Sequence, residues 1–278
     1  MVNRWQLRDK LVTFFQEDIG LEDVTTNAIF SSRDRSDMVL RAKSDIVFVG
    51  EDVLIEGFRL LDESMDVTLH YHDGDFVKCG EVIANVSGRT RALLTGERVI
   101  LNLLQRMSGI ATAVHRAKKA LNDDSIRICD TRKTAPGLRM FDKYAVRSGG
   151  GVNHRFGLDD AVMIKDNHID AAGSITLAVE RVKAYASHMT KIEVETRNVA
   201  EVEEAVAAEV DVIMFDNCTP DKMKDLVPLV PDTIKTEASG NITIDNISSY
   251  RGCGVDFISL GSLTHSVEAA DKHFVMKG

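Results

Sequence analysis

The chain has 278 residues, of which 44 % are hydrophobic and 28 % are charged, and its formal net charge is −9. These fractions exclude a largely disordered chain, and the length corresponds to one large domain or two medium ones. An acidic balance argues against a general nucleic-acid binder, because neutralising phosphates requires a basic surface. No stretch approaches 18 uninterrupted apolar residues, so no membrane span is expected.

The cysteine pattern indicates a reducing compartment. The four cysteines lie 50, 89 and 35 residues apart, so none forms a close pair of the kind that binds zinc. The first ten residues lack the apolar core of a signal peptide. We therefore expect reduced thiols and a cytoplasmic protein.

The first half of the chain predicts a mixed α+β region. Helical apolar spacing and strand-like alternation give helices at 5–16 and 51–61 and strands at 38–42, 45–49, 67–70 and 81–86. A helical apolar stripe continues over residues 91–121, where the pair Ser108-Gly109 predicts a break.

The second half predicts strands that alternate with helices. The strands are expected to begin near residues 126, 161, 192, 212, 234 and 255, with helices at 199–208, 221–229 and 245–250. The last four starts are separated by 20, 22 and 21 residues, a period that favours a parallel β/α barrel over an open sheet. Six strands instead of eight predict an irregular or incomplete barrel.

Each of the six predicted strands ends in polar or charged residues. In β/α barrels the carboxyl ends of the strands meet at one rim, where reactive groups are found. A single charged residue at a strand end is ordinarily a surface residue, but six such ends in succession favour a site. The candidates are Arg132, Lys133, Lys165, Glu195, Asp216, Ser239 and Gly261.

The last two strand ends predict a phosphate site. Ser239-Gly240-Asn241 and Gly261-Ser262 are small and rich in donors, and glycine lets backbone N–H groups approach an anion closely. The loops after the last two barrel strands are a frequent phosphate site. The alternative is that these glycines only terminate strands.

Charged residues of both signs accompany these loops. Glu195 and Asp216 end adjacent strands and suggest Mg²⁺ or hydroxyl binding, while general acid–base chemistry stays open. Residues 131–155 hold six basic residues and one acid, a local excess of positive charge in an acidic chain. Arginine suits planar carboxylates and lysine suits phosphates, so the ligand should carry both groups.

The basic segment 131–155 divides into two sets. Arg132, Lys133 and Arg155, together with His154 and the later Lys165, form the ligand-facing set. The other basic residues recur every four positions on a predicted helix, and we expect them on that helix's surface or at a subunit contact: Arg139, Lys143 and Arg147.

Longer motifs carry a family resemblance. Asp130-Thr-Arg-Lys-Thr-Ala-Pro-Gly, Asn153-His-Arg, Ile164-Lys-Asp-Asn-His, Phe215-Asp-Asn and Lys235-Thr-Glu-Ala-Ser-Gly stand in the barrel region. Together with segments that begin at Glu17-Asp-Ile-Gly, they resemble the quinolinate phosphoribosyltransferase family over nearly the whole chain.

The resemblance implies an N-terminal α+β sandwich domain and an irregular β/α barrel. We expect these at residues 1–108 and 109–267, with the tail 268–278 as a candidate to complete the first domain. It also implies that quinolinate and phosphoribosyl pyrophosphate, with Mg²⁺, give nicotinate mononucleotide, pyrophosphate and CO₂. The implied assembly is a homodimer with shared active sites, or a hexamer of such dimers.

The resemblance further implies a role for each matching residue. The catalytic set would be Lys133, Lys165, Glu195 and Asp216, of which the two acids would hold Mg²⁺, directly or through water. Quinolinate would be bound by Arg132, His154, Arg155 and Lys165, and by Arg98 from the neighbouring subunit. Phosphate would be bound by Ser239, Gly240, Asn241, Gly261, Ser262 and His265.

Several positions depart from the family pattern, and two other functions compete with it. Ala135 stands where threonine is common, Asn241 replaces a second glycine in the phosphate loop, Glu209-Val210 replaces the usual Gly-Ala, and Thr196-Arg-Asn replaces a more acidic stretch. One rival is the molybdenum-transport-associated phosphoribosyltransferase type, against which Asn153-His-Arg and Ile164-Lys-Asp-Asn-His both argue. The other is a non-catalytic anion-binding protein, against which Glu195 and Asp216 argue, since acids in an anion pocket weaken binding unless a metal or ribose needs them.

Overall fold

A computed structural model describes residues 3–277, which divide into two compact units. The first unit contains residues up to His115, Pro136–Gly150 and the residues from Val267 onward. The second contains Arg116–Ala135 and Gly151–Ser266. No helix among residues 3–277 is both long and apolar enough to cross a membrane.

The first unit is built on an antiparallel sheet with the strand order β12-β1-β5-β3. Its strands are β1 (Arg35–Ala42), β3 (Asp66–Leu69), β5 (Val82–Arg89) and β12 (Lys272–Met276), and β2 (Ile46–Val47) pairs with β4 (Phe76–Val77). Its helices are α1 (Arg4–Ile19), α2 (Val24–Ile29), α3 (Glu51–Leu61), α4 (Thr90–Leu121) and α5 (Arg139–Ser148). This arrangement confirms the predicted α+β region.

The predicted break at Ser108-Gly109 is wrong, because α4 runs through both residues. A Cβ at Gly109 would lie 2.1 Å from the carbonyl oxygen of Glu268, so glycine is needed for close backbone packing. The Ser108 hydroxyl accepts a hydrogen bond from the backbone N–H of Val49 at 3.0 Å. Ser108 and Gly109 therefore hold α4 against other segments of the first unit, and neither interrupts the helix.

The second unit contains six strands, all paired in parallel, in the order β6-β11-β10-β9-β8-β7. They are β6 (Arg127–Cys129), β7 (Val162–Ile164), β8 (Ile192–Thr196), β9 (Val212–Asp216), β10 (Lys235–Ser239) and β11 (Phe257–Ser259). The strand starts agree with the sequence pattern. Because β6 and β7 form the two ends of the hydrogen-bonded order, the predicted incomplete β/α barrel is confirmed.

Helices connect these strands. They are α6 (Asp166–Ala172), α7 (Ile175–Tyr185), α8 (Val199–Ala207), α9 (Pro220–Leu226) and α10 (Ser262–His265). The helix expected at 245–250 is a single 3₁₀ turn, Ile247–Tyr250. The expected surface position of Lys143 is also wrong: the α5 helix forms, but Lys143 is only 2 % exposed.

A buried lysine holds β12 in the first unit. Lys272 is 1 % exposed and donates hydrogen bonds to the carbonyl oxygen of Leu104 at 2.9 Å and to the hydroxyl of Ser108. Its Nζ lies 5.5 Å from the centre of the Phe48 ring. Burial disfavours the charged form and lowers the pKa of Lys272 to about 7.

We predict that Lys272→Met changes the pH dependence of stability. Between about pH 7 and 10.5 the unfolded chain holds a proton on Lys272 that the folded chain lacks, so the wild-type free energy of unfolding gains a contribution that rises with pH. The variant should lose this contribution, which is on the order of 5 kcal/mol across the window. Urea unfolding between pH 6.5 and 10 measures it.

The matched control is Lys277→Met, since Lys277 is exposed and close in the sequence. Its stability should follow the wild-type pH profile. Parallel profiles for the two variants would contradict the prediction.

Candidate active site

A cavity of about 680 Å³ opens at the carboxyl ends of the parallel strands. Its lining residues are Thr131, Arg132, Lys133, His154, Arg155, Met163, Lys165, Glu195, Met214, Asp216, Asn217, Ser239, Gly240, Asn241 and Ser259. Most of the residues predicted from the strand ends therefore lie around one cavity within the second unit.

Strand register explains why these side chains meet. Asp216, the last residue of β9, pairs with Ser239, the last residue of β10. Glu195 on β8 pairs with Met214 on β9. Parallel strands deliver their carboxyl ends to one edge of the sheet, so residues distant in the sequence become neighbours.

Four cations line the cavity: Arg132, Lys133, Arg155 and Lys165. The Arg155 guanidinium donates a hydrogen bond to the carbonyl oxygen of Ala161 at 2.9 Å, which fixes its direction. Burial, followed by the charge of Arg132, lowers the pKa of Arg155. The arrangement concentrates positive charge in a partly buried space, which favours an anionic ligand.

The two predicted carboxylates have different partners. The Lys165 ammonium donates to Oε1 of Glu195 at 2.5 Å. The Asn217 side-chain amide donates to Oδ2 of Asp216 at 2.8 Å. Among residues 3–277, the second oxygen of each carboxylate has no side-chain hydrogen bond and can receive a metal ion or a ligand hydroxyl.

The loop after β10 has an unusual backbone that depends on Asn217. Gly240 has φ +91, and a Cβ there would lie 2.4 Å from Oδ1 of Asn217 and 2.7 Å from its backbone nitrogen. Asn241 also has positive φ, 53, and its side-chain amide donates to Oδ1 of Asn217 at 2.9 Å. Asparagine is among the few residues other than glycine that adopt this conformation, so Asn241 fits the position.

Four predicted residues are outside the cavity lining. Gly261 packs against Lys133 and His265, since a Cβ would lie 3.2 Å from Cδ of Lys133 and 3.1 Å from Cδ2 of His265. Ser262 begins the short helix α10. Arg98 is exposed on α4 and does not line this cavity of the second unit.

Sequence reasoning missed several residues that face the interior of the sheet. Met163 and Met214 line the cavity, and each stands two positions before a predicted residue. Glu193 and Glu237, two positions before Glu195 and Ser239, are 5 % and 3 % exposed. Side chains two positions apart on a strand share a face. Counting back two positions from each predicted strand-end residue would therefore have identified these four residues from the sequence.

His154 and the two buried glutamates form a compact cluster. The Nε2 atom of His154 lies 2.9 Å from Oε2 of Glu193 and 3.8 Å from Oε1 of Glu237. The Ser259 hydroxyl donates to Glu237. Burial and the nearby charge of Glu193 raise the pKa of Glu237 to about 7.

We predict that Gly240→Ala weakens phosphate binding while the chain stays folded. Alanine would strain the positive φ and also collide with Asn217, so the loop must move. Isothermal titration with inorganic pyrophosphate should show at least a tenfold loss of affinity.

Gly252→Ala is the matched control, because Gly252 has φ +66 but nothing within 4 Å of its Cβ position. It should lose on the order of 1 kcal/mol of stability and keep its affinity. Equal affinities for the two variants would exclude the assigned loop geometry.

Comparison with known proteins agrees with the motifs of the site. The model of the quinolinate phosphoribosyl transferase N-terminal domain matches residues 23–108, and that of the C-terminal domain matches residues 110–275. A Bacillus subtilis (strain 168) protein described as a probable nicotinate-nucleotide pyrophosphorylase (carboxylating) is 53 % identical over 270 residues, which cover 97 % of this chain and 93 % of that protein.

Solved structures give the same result. The structure of NadC from Streptococcus pyogenes superposes with a TM-score of 0.96 at 43 % identity, covering 100 % of this chain and 98 % of that one. The nicotinate-nucleotide pyrophosphorylase of Francisella tularensis gives 0.95 at 34 % identity, with the same coverage of both chains. The chain therefore belongs to the quinolinate phosphoribosyltransferase family.

Proposed function

We infer that the protein transfers the phosphoribosyl group of phosphoribosyl pyrophosphate to quinolinate and releases CO₂, forming nicotinate mononucleotide for NAD biosynthesis. The observation that carries this inference is the cavity in which four cations and two carboxylates stand together. A pyridine dicarboxylate and a ribose pyrophosphate together need both kinds of charge: cations for their carboxylates and phosphates, and carboxylates for the ribose and a metal ion.

The cations divide between the two substrates in this proposal. Arg132, Arg155 and Lys165 bind the quinolinate carboxylates, for which the planar guanidinium fork is suited. His154 stands beside them. Lys133, next to Gly261, faces the pyrophosphate as a point charge.

The small residues after the last strands would bind phosphate. Ser239, Gly240 and Asn241 supply donors from one loop, and Gly261, Ser262 and His265 supply them from the next. Glycine allows the close approach of backbone to phosphate that such a loop needs.

Mg²⁺ fits the carboxylate pair. It is usually bound by one or two carboxylates together with substrate phosphates and water, and Glu195 and Asp216 each keep one oxygen outside their side-chain hydrogen bonds within residues 3–277. When bound, Mg²⁺ would stabilise the negative charge of the departing pyrophosphate.

The reaction follows from this charge distribution. The quinolinate nitrogen attacks the anomeric carbon of ribose while the bond to pyrophosphate breaks. Glu195 and Asp216 stabilise positive charge that develops on the ribose, and Lys133 stabilises the leaving group. Ribosylation makes the ring nitrogen cationic, and its charge stabilises the electron pair that stays on the adjacent ring carbon when CO₂ leaves; this carbon then takes a proton from solvent. No covalent enzyme intermediate is needed.

We also propose the assembly, the location and the domain boundaries. A homodimer, alone or within a hexamer, would bring the exposed Arg98 of one subunit to the quinolinate site of the other. The domains would be residues 1–108 and 109–267, with 268–278 joining the first. The free cysteines suit the reducing cytoplasm.

We predict that the purified protein forms nicotinate mononucleotide and CO₂ from quinolinate and phosphoribosyl pyrophosphate with Mg²⁺. Product chromatography and trapping of labelled CO₂ measure both. Nicotinate lacks one carboxylate and should react at least a hundredfold less efficiently, because the cations meant for that carboxylate stay unpaired. Equal use of nicotinate would refute the proposed specificity.

Mixing two inactive variants tests the shared site. In the proposed dimer each site takes Glu195 from one subunit and Arg98 from the other. A heterodimer of Arg98→Ala and Glu195→Ala therefore has one site with both changes and one site with neither. A one-to-one mixture should regain about a quarter of wild-type activity if subunits exchange freely.

The matched mixture is Glu195→Ala with Asp216→Ala, whose changes lie in the same half of the site. It should stay inactive. No recovery in the first mixture, with subunit exchange shown by mass spectrometry of tagged chains, would remove the role of Arg98 across the interface.

A further inference from the structure

The cluster of His154, Glu193 and Glu237 is not used by the reaction described above. Both glutamates are buried, and they line a second cavity of about 500 Å³. His154 and Arg155 line this second cavity and the active-site cavity alike. The cluster therefore includes His154 and adjoins Arg155, two residues that we assign to quinolinate.

By composition the cluster could hold a metal ion, since its ligand atoms lie within 4.8 Å of one another. The hydrogen bonds of His154 argue against this. Its Nδ1 accepts a hydrogen bond from the backbone N–H of Arg155 at 2.8 Å, so Nδ1 carries no proton. A neutral ring then has its proton on Nε2, the atom that a metal would need.

The same hydrogen bonds assign the contact to Glu193. The Nε2–H of His154 faces Oε2 of Glu193 at 2.9 Å, which is a hydrogen bond from imidazole to carboxylate. Glu237 is too distant for such a bond. Both ring nitrogens of His154 are thus bound by the protein.

The hydrogen bonds continue along the backbone to Arg155. The backbone N–H of His154 donates to Oδ1 of the buried Asp130 at 2.9 Å. The next backbone N–H, that of Arg155, is the donor to the His154 ring. Ring orientation and the direction of Arg155 are therefore coupled through two adjacent residues.

We propose that Glu193 is a positioning residue, which holds His154 as the Nε2–H tautomer and thereby fixes the backbone that presents Arg155 to the carboxylates of quinolinate. The kinetic consequence of this proposal rests on the proposed function, whereas the tautomer does not.

The test compares the wild type with Glu193→Gln and Glu193→Leu. The glutamine amide oxygen can still accept from Nε2–H, and leucine has a similar volume without an acceptor. Nitrogen-15 NMR of labelled histidine reports the tautomer, and the His154 signals are identified by their loss in His154→Gln. The wild type and Glu193→Gln should show a protonated Nε2 and an unprotonated Nδ1, and Glu193→Leu should show mixed tautomers.

Steady-state kinetics supplies the second measurement. In Glu193→Leu the KM for quinolinate should rise at least tenfold, with the KM for phosphoribosyl pyrophosphate within about twofold of wild type. Glu193→Gln should keep the quinolinate KM within about threefold. Thermal melting confirms that each variant is folded.

Three results would overturn the proposal. They are a wild-type His154 that is protonated on Nδ1, an unchanged quinolinate KM in Glu193→Leu, and an equal rise of both KM values. The first needs only the wild type and His154→Gln, so it tests the proposal even if Glu193→Leu does not fold. A wild type inactive on quinolinate but with the Nε2–H tautomer would refute the proposed function and leave the assignment of Glu193 standing.

Discussion

Repulsion among like charges is the constraint on which the site depends. Arg132, Lys133, Arg155 and Lys165 share one cavity, and two arginines are close enough that Arg132 lowers the pKa of Arg155. Holding cations together in a partly buried space is unfavourable unless negative charge is nearby. The protein supplies negative charge of its own, since Glu193, Glu195 and Asp160 act on Arg155, and an anionic ligand in the cavity would add to it.

The Lys165–Glu195 ion pair links the two halves of the cavity. The ammonium of Lys165 is paired with Glu195. In the function proposed above, a quinolinate carboxylate that took Lys165 as its partner would release an oxygen of Glu195 for the ribose.

The sequence was sufficient for features that depend on local pattern. The strand period of about 21 residues predicted the parallel order, and residues directly after the strands, such as Lys165 and Asp216, were found because parallel strands end at one rim. The break at Gly109 was mispredicted because its cause is Glu268, a residue far along the chain. No local pattern reports such a contact.

Buried side chains of the parallel sheet also make contacts that no local sequence pattern reports. Glu193 and Glu237 lie within motifs at the strand ends but were assigned no role, yet they are buried next to each other. Their meeting depends on strand order, in which β8 and β10 both pair with β9. That order could be anticipated from the repeat, but a contact between side chains of non-adjacent strands requires the curvature of the sheet.

The phosphate loop shows how a departure from the family pattern can keep the geometry. A second glycine would allow the positive φ at Asn241 but would add backbone freedom in the unfolded chain. Asparagine adopts the same conformation and adds a hydrogen bond to Asn217, whose other amide atom holds Asp216. One side chain therefore connects the loop after β10 to Asp216. Because the protein's own side chains make this connection, the loop depends less on a ligand for its order, and binding should lose less conformational entropy.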